Sequence, residues 1–558
     1  MINPNFDKIN FTDNTHQVLN QPKLNCIDNL YLSDPKLQYW IICFSGQFAA
    51  DTLRQCGKEY AEKYVELGED ANRYPPEFES HDRNGHRIDV VKFHPAYHQL
   101  MRFGIESNIH SLPWINKQVG AQVVRAAMEY MHMQVEAGTG CPLTMTFAAV
   151  ATLKHSPKIA EQWIPKILSS VYDSRNIPYF EKQGLTIGMA MTEKQGGSDV
   201  RANTTRAFAI TEAGNGEAYE LVGHKWFCSA PMSDAFLVLA QLEQGLSCFL
   251  MPRWRPDGSK NHFHIQRLKN KLGNRSNASS EIEFHGAFAW LIGEEGKGVR
   301  TIIDMVALTR FDCMVGSSAL MRSALSHALT FTSQRSAFGK NLQQQPLMQN
   351  VLADLAIESE AALALSMRVA HALDSAQDKQ QMAFVRIATA AGKYWICKRA
   401  PHFIYEAMEC MGGMGYVEDN FIARLYREAP VNAIWEGSGN VQCLDVMRSM
   451  IKEPETLEYL LTELQAVKGQ YSQYDALLVD VTQHLSPKNR CDSRFEYLLR
   501  SLVDKLALLL QAYVLIKFGK PQIAQAYCLS RLVQGVTLNI GTLPTGIDVE
   551  FIIKEAMR

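Results

Sequence analysis

The chain has 558 residues, 46% hydrophobic and 20% charged, enough to bury a large core and to divide into several domains. Its formal net charge of −2 and pI near 6.8 exclude a globally basic surface, so nucleic-acid binding would need a local patch. Twelve cysteines from Cys26 to Cys528 include no C-x-x-C pair, and sixteen histidines show no ligand spacing, which speaks for reduced thiols and against disulfides or a metal site.

The opening MINPNFDKINFTDNTHQ has no apolar signal core and no Arg-rich amphipathic pattern, so no export or organelle signal is expected and the chain is read as cytoplasmic. Residues from about 36 to 182 carry helical spacing. In AQVVRAAMEYMHMQVEAG, Val123, Met128, Met131, Met133 and Val135 mark a core face on a helix expected to end at a glycine. An N-terminal helical domain is assigned to 1–183. Between 184 and 292 the period changes: LTIGMAM, TTRAFAIT, YELVGHKWF, AFLVLAQL, LSCFLMP and EIEFHGAFAW are short β-rich runs between turn residues, read as a central antiparallel β domain, sheet or barrel. Long helical periodicity occupies 293–450, with breaks at Pro346 and Asp374, as a C-terminal helical bundle. The last part, 451–558, reads as an additional helical segment. Its apolar stretch LVDKLALLLQAYVLIKF (502–518) contains Asp504 and Lys505 and is too short to span a bilayer, so it is assigned as a buried amphipathic helix. The fold class expected is α+β, mainly α.

Five stretches carry chemistry: MTEKQGGSDV (191–200), GHKWFCSAP (223–231), KLGNRSNASSEIEF (271–284), QRSAFGK (334–340), and ECMGGMGY with IWEGSGN (409–416, 434–440). Taken singly, a glycine run is most often a tight turn and a lone arginine a solvated charge. The first stretch sets two short hydroxyls, Thr192 and Ser198, around Gly196 and Gly197 between two β-runs. Such a turn lets backbone amides and small donors approach a flat polar-edged ring.

In order and spacing these stretches resemble the acyl-CoA dehydrogenase family, whose helical, β and helical domains follow this sequence. The likeness covers roughly 40–450. MTEKQGGSDV, RLKNKLGNRSNASSEIEF, TRFDC, VNAIWEGSGNVQCLDVMR and the extra C-terminal segment extend it to the AidB-like branch. The resemblance implies FAD as cofactor, an acyl-CoA or related thioester as substrate, and a homotetramer. It assigns the flavin ring to Met191, Thr192, Gly197, Ser198 and Trp226, with Ser229 or Cys228 meeting flavin N5. Arg335 and Phe338 would meet the FAD of a neighbouring subunit, with Glu409, Gly412 and Gly413 at its adenine half and Trp435, Gly437, Ser438 and Asn440 beside the reacting centre. Ala337 and Glu409 stand where the family has threonine and glutamine. Glu436 would remove the α-proton while the β-hydrogen leaves as hydride to the flavin, and Arg310 would orient the Glu436 region. Trp435 replaces the family's usual tyrosine; being larger, it should crowd the acyl pocket and favour short or branched chains.

A second reading stays open. Members of the AidB-like branch bind double-stranded DNA through the C-terminal segment in the response to alkylating agents, with little dehydrogenase activity. Here 488–531 holds Lys488, Arg490, Arg494, Arg500, Lys505, Lys517, Lys520 and Arg531 against Asp492, Glu496 and Asp504, a net +5 lying outside the flavin motifs. An acyl-CoA oxidase is a third reading, although the ending EAMR is no peroxisomal address. Neither the natural substrate nor the electron acceptor is legible.

Overall fold

The computed structural model describes residues 18–23, 27–490, 494–533 and 539–557. The opening MINPNFDKINFTDNTHQ, Cys26 and Asp492 lie outside the described residues.

Among the described residues eight N-terminal helices, Pro35–Cys43, Ala50–Glu59, Val65–Arg73, Pro95–Glu106, the one-turn Leu112–Ile115, Ala121–Val135, Ala137–Leu153 and Pro157–Ile167, build the first layer. Met128 and Met131 are buried, as their spacing requires. The helix expected to run on to a glycine stops earlier. Glu136 turns extended, ends Ala121–Val135, and caps the next helix by accepting from the Gly138 and Thr139 amides at 3.0 and 2.7 Å.

The helical reading of 36–182 missed a two-stranded antiparallel hairpin, Glu77–His81 and Arg87–Lys92. Asn84-Gly85, with Gly85 at φ +85°, is the turn signal that could have found it. The hairpin docks on the β domain: Arg87 Nη2 donates to the Ile265 carbonyl at 2.6 Å, Lys260 Nζ donates to the Ile88 carbonyl at 2.6 Å, and Val91 enters the β-domain core.

Seven strands form the central sheet, the six expected plus Phe263–Leu268. Ala235–Leu242 pairs with Gly245–Pro252, which pairs with Ser279–Ile292, which pairs with Ala218–Ser229, which pairs with Arg206–Ala209. A bridge from Arg206 to Gln241 closes the ring into a barrel. The expectation of an antiparallel domain needs one correction: Ile187–Ala190 and that closing bridge both run parallel to Ala235–Leu242. AFLVLAQL is apolar on both faces because it is covered twice. Leu237 and Leu239 face the N-terminal helices, while Phe236, Val238 and Ala240 face the barrel interior.

The bundle consists of Gly298–Gln334, Pro346–Leu373 and Lys379–Glu409, followed by Gly439–Lys452; the breaks at Pro346 and Asp374 fall where expected. Short connections make the three long helices run up, down and up, so Gln334 and Glu409 finish at the same end. A buried ion pair ties this layer to the first: Arg125 Nη2 donates to Asp312 Oδ2 at 2.7 Å. Glu129 also reaches Arg125, at 2.7 Å, so removing the arginine would strand two buried carboxylates, a loss of about 3–5 kcal/mol.

The C-terminal segment adds Pro454–Gln465, Ser472–His484, Phe495–Phe518, Pro521–Arg531 and Val549–Met557 around a short turn. Leu502, Val503, Leu506 and Leu509 through Leu515 of Phe495–Phe518 are buried, the amphipathic helix read from the sequence. Among the described residues no helix is long and apolar enough to cross a membrane, and every described cysteine is a free thiol.

Candidate active site

Glu436 stands on the loop between Ala433 and the helix Gly439–Lys452, in the left-handed region at φ +57°. A non-glycine residue there costs on the order of 1–3 kcal/mol and persists only when its surroundings hold it. Three side chains do so. Arg310 Nε donates to the Glu436 carbonyl at 2.9 Å. Gln442 Nε2 donates to the Glu436 and Gly437 carbonyls at 3.0 and 2.9 Å. Lys393 Nζ, buried, donates to the carbonyls of Asn432, Trp435 and Gly437 at 3.0, 2.8 and 3.0 Å. Gly437 follows at φ +97°, and a Cβ there would stand 2.8 Å from Gln442 Nε2. Arg310 is fixed in turn by Asp445, whose carboxylate accepts from Arg310 Nη1 at 2.8 Å and from both terminal nitrogens of Arg386.

Among the described residues the carboxylate itself meets one donor. Thr309 Oγ1 lies 2.8 Å from Glu436 Oε2 and 3.0 Å from the Val306 carbonyl. That hydroxyl has a single proton. It can donate to an ionised Glu436, or accept from a protonated one while donating to Val306, and so serves both charge states. Although Glu436 keeps some surface, the protein packed around its carboxylate desolvates it. Burial raises its pKa, opposed by the Thr309 hydrogen bond and the charges of Lys393 and Arg310.

On the barrel side, the 191–204 turn is anchored from within. Glu193 is buried and accepts from Lys225 Nζ at 2.7 Å, from the Thr204 amide at 2.7 Å and from the Thr205 amide at 3.2 Å. Burial would raise its carboxyl, but the Lys225 charge and these hydrogen bonds outweigh it and hold the pKa at about 2. The Met191 carbonyl accepts from Asn203 Nδ2 and the Thr192 carbonyl from the Trp226 amide, at 3.0 and 2.8 Å. The amides of Gly197 and Ser198 bond no protein group among the described residues. Lys269 Nζ sits 3.3 Å from the Trp226 ring centroid and covers one face of the indole.

Strand alternation settles which of the two neighbouring residues faces outward. Cys228 lies inside the barrel, fully buried, its thiol pKa raised by burial, so it is withdrawn as a flavin partner. Ser229 points the other way and is half-buried. Its hydroxyl is 3.3 Å from Ser279 Oγ, which Lys271 Nζ reaches at 3.1 Å. The Cys141 thiol touches Ser229 and senses the charges of Lys271 and Glu436, which brings the barrel group and the Glu436 loop to one place.

Ser438 caps Gly439–Lys452 by position with no side-chain bond, leaving first-turn amides available beside exposed Asn440. Trp435 Nε1 donates to Asn432 Oδ1 at 3.0 Å, and its ring packs on the core around Cys141.

Arg335, Phe338, Glu409, Gly412 and Gly413 do not join this group. Arg335 caps the helix that carries Arg310, 25 residues on, so about 37 Å along its axis; Glu409 lies 16 residues, about 24 Å, beyond Lys393. Both belong to the far end of the bundle. Arg335 Nη1 donates there to the Asn20 carbonyl at 2.5 Å. Phe338, at φ +53°, is 96% exposed at a hairpin tip, and space stands open beside Gly412 and Gly413.

The basic run 488–531 is not one free stripe. Arg531 is paired with Asp354 and Glu358, Lys520 with Glu555, and Lys505 with Asp480, carboxylates that the local sequence count could not see. Nor does the run lie clear of the flavin motifs: Arg500 Nη2 would stand 3.2 Å from a Cβ on Gly439. Sequence reasoning also passed over Thr309, Lys393, Gln442 and Asp445. Only Lys393 carried a signal, a lysine whose helical neighbours Thr389, Ala390, Ile396 and Cys397 are those of a buried face.

A helical layer, a closed β-barrel and a helical bundle around a loop-held carboxylate define an acyl-CoA dehydrogenase fold. Residues 20–174 match the adaptive response protein AidB N-terminal domain, 188–287 the acyl-CoA dehydrogenase middle domain and 296–451 the acyl-CoA dehydrogenase C-terminal domain. Escherichia coli AidB is 46% identical over 517 residues, 92% of this chain and 94% of its own length. Acyl-CoA dehydrogenase family member 11 of Caenorhabditis elegans is 31% identical over 425 residues, 72% of this chain and 66% of its own. The structure of Caenorhabditis elegans ACDH-11 in complex with C11-CoA superposes with a TM-score of 0.83 at 26% identity, covering 94% of both chains. The chain therefore belongs to the acyl-CoA dehydrogenase family, with an AidB-type N-terminal domain, and FAD is the cofactor that this membership implies.

Proposed function

We propose that this chain is an FAD-dependent dehydrogenase that forms the α,β-double bond of an acyl-CoA or related thioester, with Glu436 as the base. Glu436 carries the reading: a desolvated carboxylate with a raised pKa, held in a strained backbone by Arg310, Lys393 and Gln442. Its Oε1 has no protein hydrogen bond among the described residues and is the oxygen to take the α-proton, while Thr309 steadies Oε2. The Glu436 amide is likewise unpaired and can donate to a thioester oxygen as negative charge develops there. Bound FAD supplies the two-electron acceptor. Thr192, Ser198, the free amides of Gly197 and Ser198, the half-buried Trp226 and the half-buried Ser229 suit its polar ring edges. The uncapped first turn at Gly439 suits the polar chain beyond the ring.

The domain division 1–183, 184–292, 293–450 and 451–558 is retained, as is a cytoplasmic setting. The far-end group of Arg335, Phe338, Glu409, Gly412 and Gly413 serves the FAD of another subunit in a homotetramer, since it stands far from this chain's own Glu436. Arg335→Ala should weaken FAD retention by about 1.5–3 kcal/mol, the worth of a charge-assisted hydrogen bond. Equal FAD content in mutant and wild type after dialysis would refute that role.

Trp435, tethered to Asn432, favours short or branched acyl groups. The test of the whole reading is anaerobic mixing of the yellow holoprotein with acyl-CoAs of graded length. Bleaching of the flavin, fastest with short or branched chains, is expected; no bleaching with any of them would sink the dehydrogenase reading.

The DNA reading is supported by the AidB-type N-terminal domain and by the likeness to AidB through the C-terminal segment. With Lys505, Lys520 and Arg531 already paired with carboxylates, at most five of the eight cations can serve phosphate. Log K should then fall with log salt at a slope no steeper than roughly −4 to −5, measured by fluorescence anisotropy on unrelated duplexes. No binding near ~50 mM salt, where phosphate contacts are strongest, would leave only a solvated helix face.

A further inference from the structure

Ser229 and Ser279 are directly opposite residues on antiparallel strands, so their side chains share one face of the sheet, with the hydroxyls 3.3 Å apart. Beyond Ser279 stands Lys271, whose Nζ lies 2.6 Å from the Asn277 carbonyl and 3.1 Å from Ser279 Oγ. Burial lowers the Lys271 pKa to about 8, which still leaves an ammonium at neutral pH. An ammonium has three protons and no lone pair, so both bonds are donated by Lys271.

That direction fixes everything downstream. Ser279 Oγ accepts from Lys271 and must place its own single proton elsewhere, and its other partner among the described residues is Ser229 Oγ. Ser229 therefore accepts from Ser279, and its own proton is left to point away from the pair, toward the side where the Cys141 thiol touches it and Glu436 lies within electrostatic reach. A thiol sulfur is a weak acceptor. The N5 atom of an oxidised flavin ring carries a lone pair and is a better one.

Resting on the flavin reading of Ser229 given above, the geometry points to Lys271 as a positioning residue that, through Ser279, holds Ser229 as the hydrogen-bond donor to the N5 edge of bound FAD. Without the ammonium, Ser279 Oγ can accept from Ser229 instead of donating to it, and Ser229 loses its fixed direction. The donor favours oxidised flavin, whose N5 accepts, over reduced flavin, whose N5–H donates.

The test is a dithionite titration of the FAD-bound protein against a redox dye, with FAD content measured first and no acyl-CoA present. Ser279→Ala and Ser229→Ala should each shift the oxidised-to-reduced equilibrium toward reduced flavin by about tenfold, about 30 mV for a two-electron couple. The double variant should show the same shift as either single one, because they interrupt one chain. Lys271→Met removes a charge as well as the relay, so it should act differently in the wild type than in the Ser279→Ala background, where only the charge effect survives. If Ser229→Ala moves the potential while Ser279→Ala does not, or if Lys271→Met acts equally in both backgrounds, the relay is overturned. Should Lys271→Met fail to fold, the serine pair decides alone. A wild type that carries no FAD overturns the flavin reading and the relay together. Normal FAD content with unmoved potentials overturns the relay only.

Discussion

Two glutamates flank the candidate site, and the same side chain is driven in opposite directions. Glu193, under the flavin turn, is buried with a lysine and two backbone amides and is held at about 2. Glu436, on the loop across from it, meets one hydroxyl and is pushed above the ordinary carboxylate range by burial. Burial alone therefore does not mark a reactive acid. What separates the two is the number of donors each carboxylate receives: full satisfaction makes Glu193 a structural anchor, and partial satisfaction leaves Glu436 able to take a proton.

The largest expected effect is on stability. Glu193→Gln strands the buried Lys225 ammonium and should destabilise the protein by about 3–5 kcal/mol, read from urea midpoints; Lys225→Met added to it should recover most of that loss. A Glu193→Gln protein as stable as wild type would break the contrast. The effect should also depend on pH. The Glu193 contribution is present above its ordinary value near 4.5 and is lost as pH falls toward about 2. The Glu436 contribution has the opposite sign, present below the ordinary carboxylate range and lost as pH rises through its raised value. Glu436→Gln should thus match the wild type in acid and gain slightly on it toward neutral pH.

The smallest effect sharpens the comparison at one atom. Thr309→Val removes the hydroxyl that holds the Glu436 pKa down, so the acid limb of kcat should move to higher pH with FAD content unchanged. An unmoved limb would mean that another group titrates there.

Much of this contrast was not legible in the sequence. The order of helical layer, barrel and bundle was, because hydrophobic period changes from 3.6 to 2 and back are local. Glu436 and Arg310 were legible only through resemblance, since 126 positions separate the atoms that meet. The partners that set their chemistry were not. Thr309 and Lys393 look ordinary in LTRFD and AAGKYWICK until the helices are packed. The strand Ile187–Ala190 was expected but its parallel direction was not, because nothing within LTIGMAM says which way its neighbour runs. The basic count over 488–531 misled for a related reason: Asp354, Glu358 and Glu555, which engage Arg531 and Lys520, lie outside that window.

The central claim is that Glu436 is the base, and Glu436→Gln tests it most directly, keeping shape and hydrogen bonding while removing the proton acceptor. Stopped-flow bleaching of the bound flavin by a reactive acyl-CoA, under anaerobic conditions, should slow by at least ~10²-fold, the lower end for loss of a general base, with FAD content and unfolding midpoint at or slightly above wild type. Bleaching at the wild-type rate would contradict the account and place the base elsewhere.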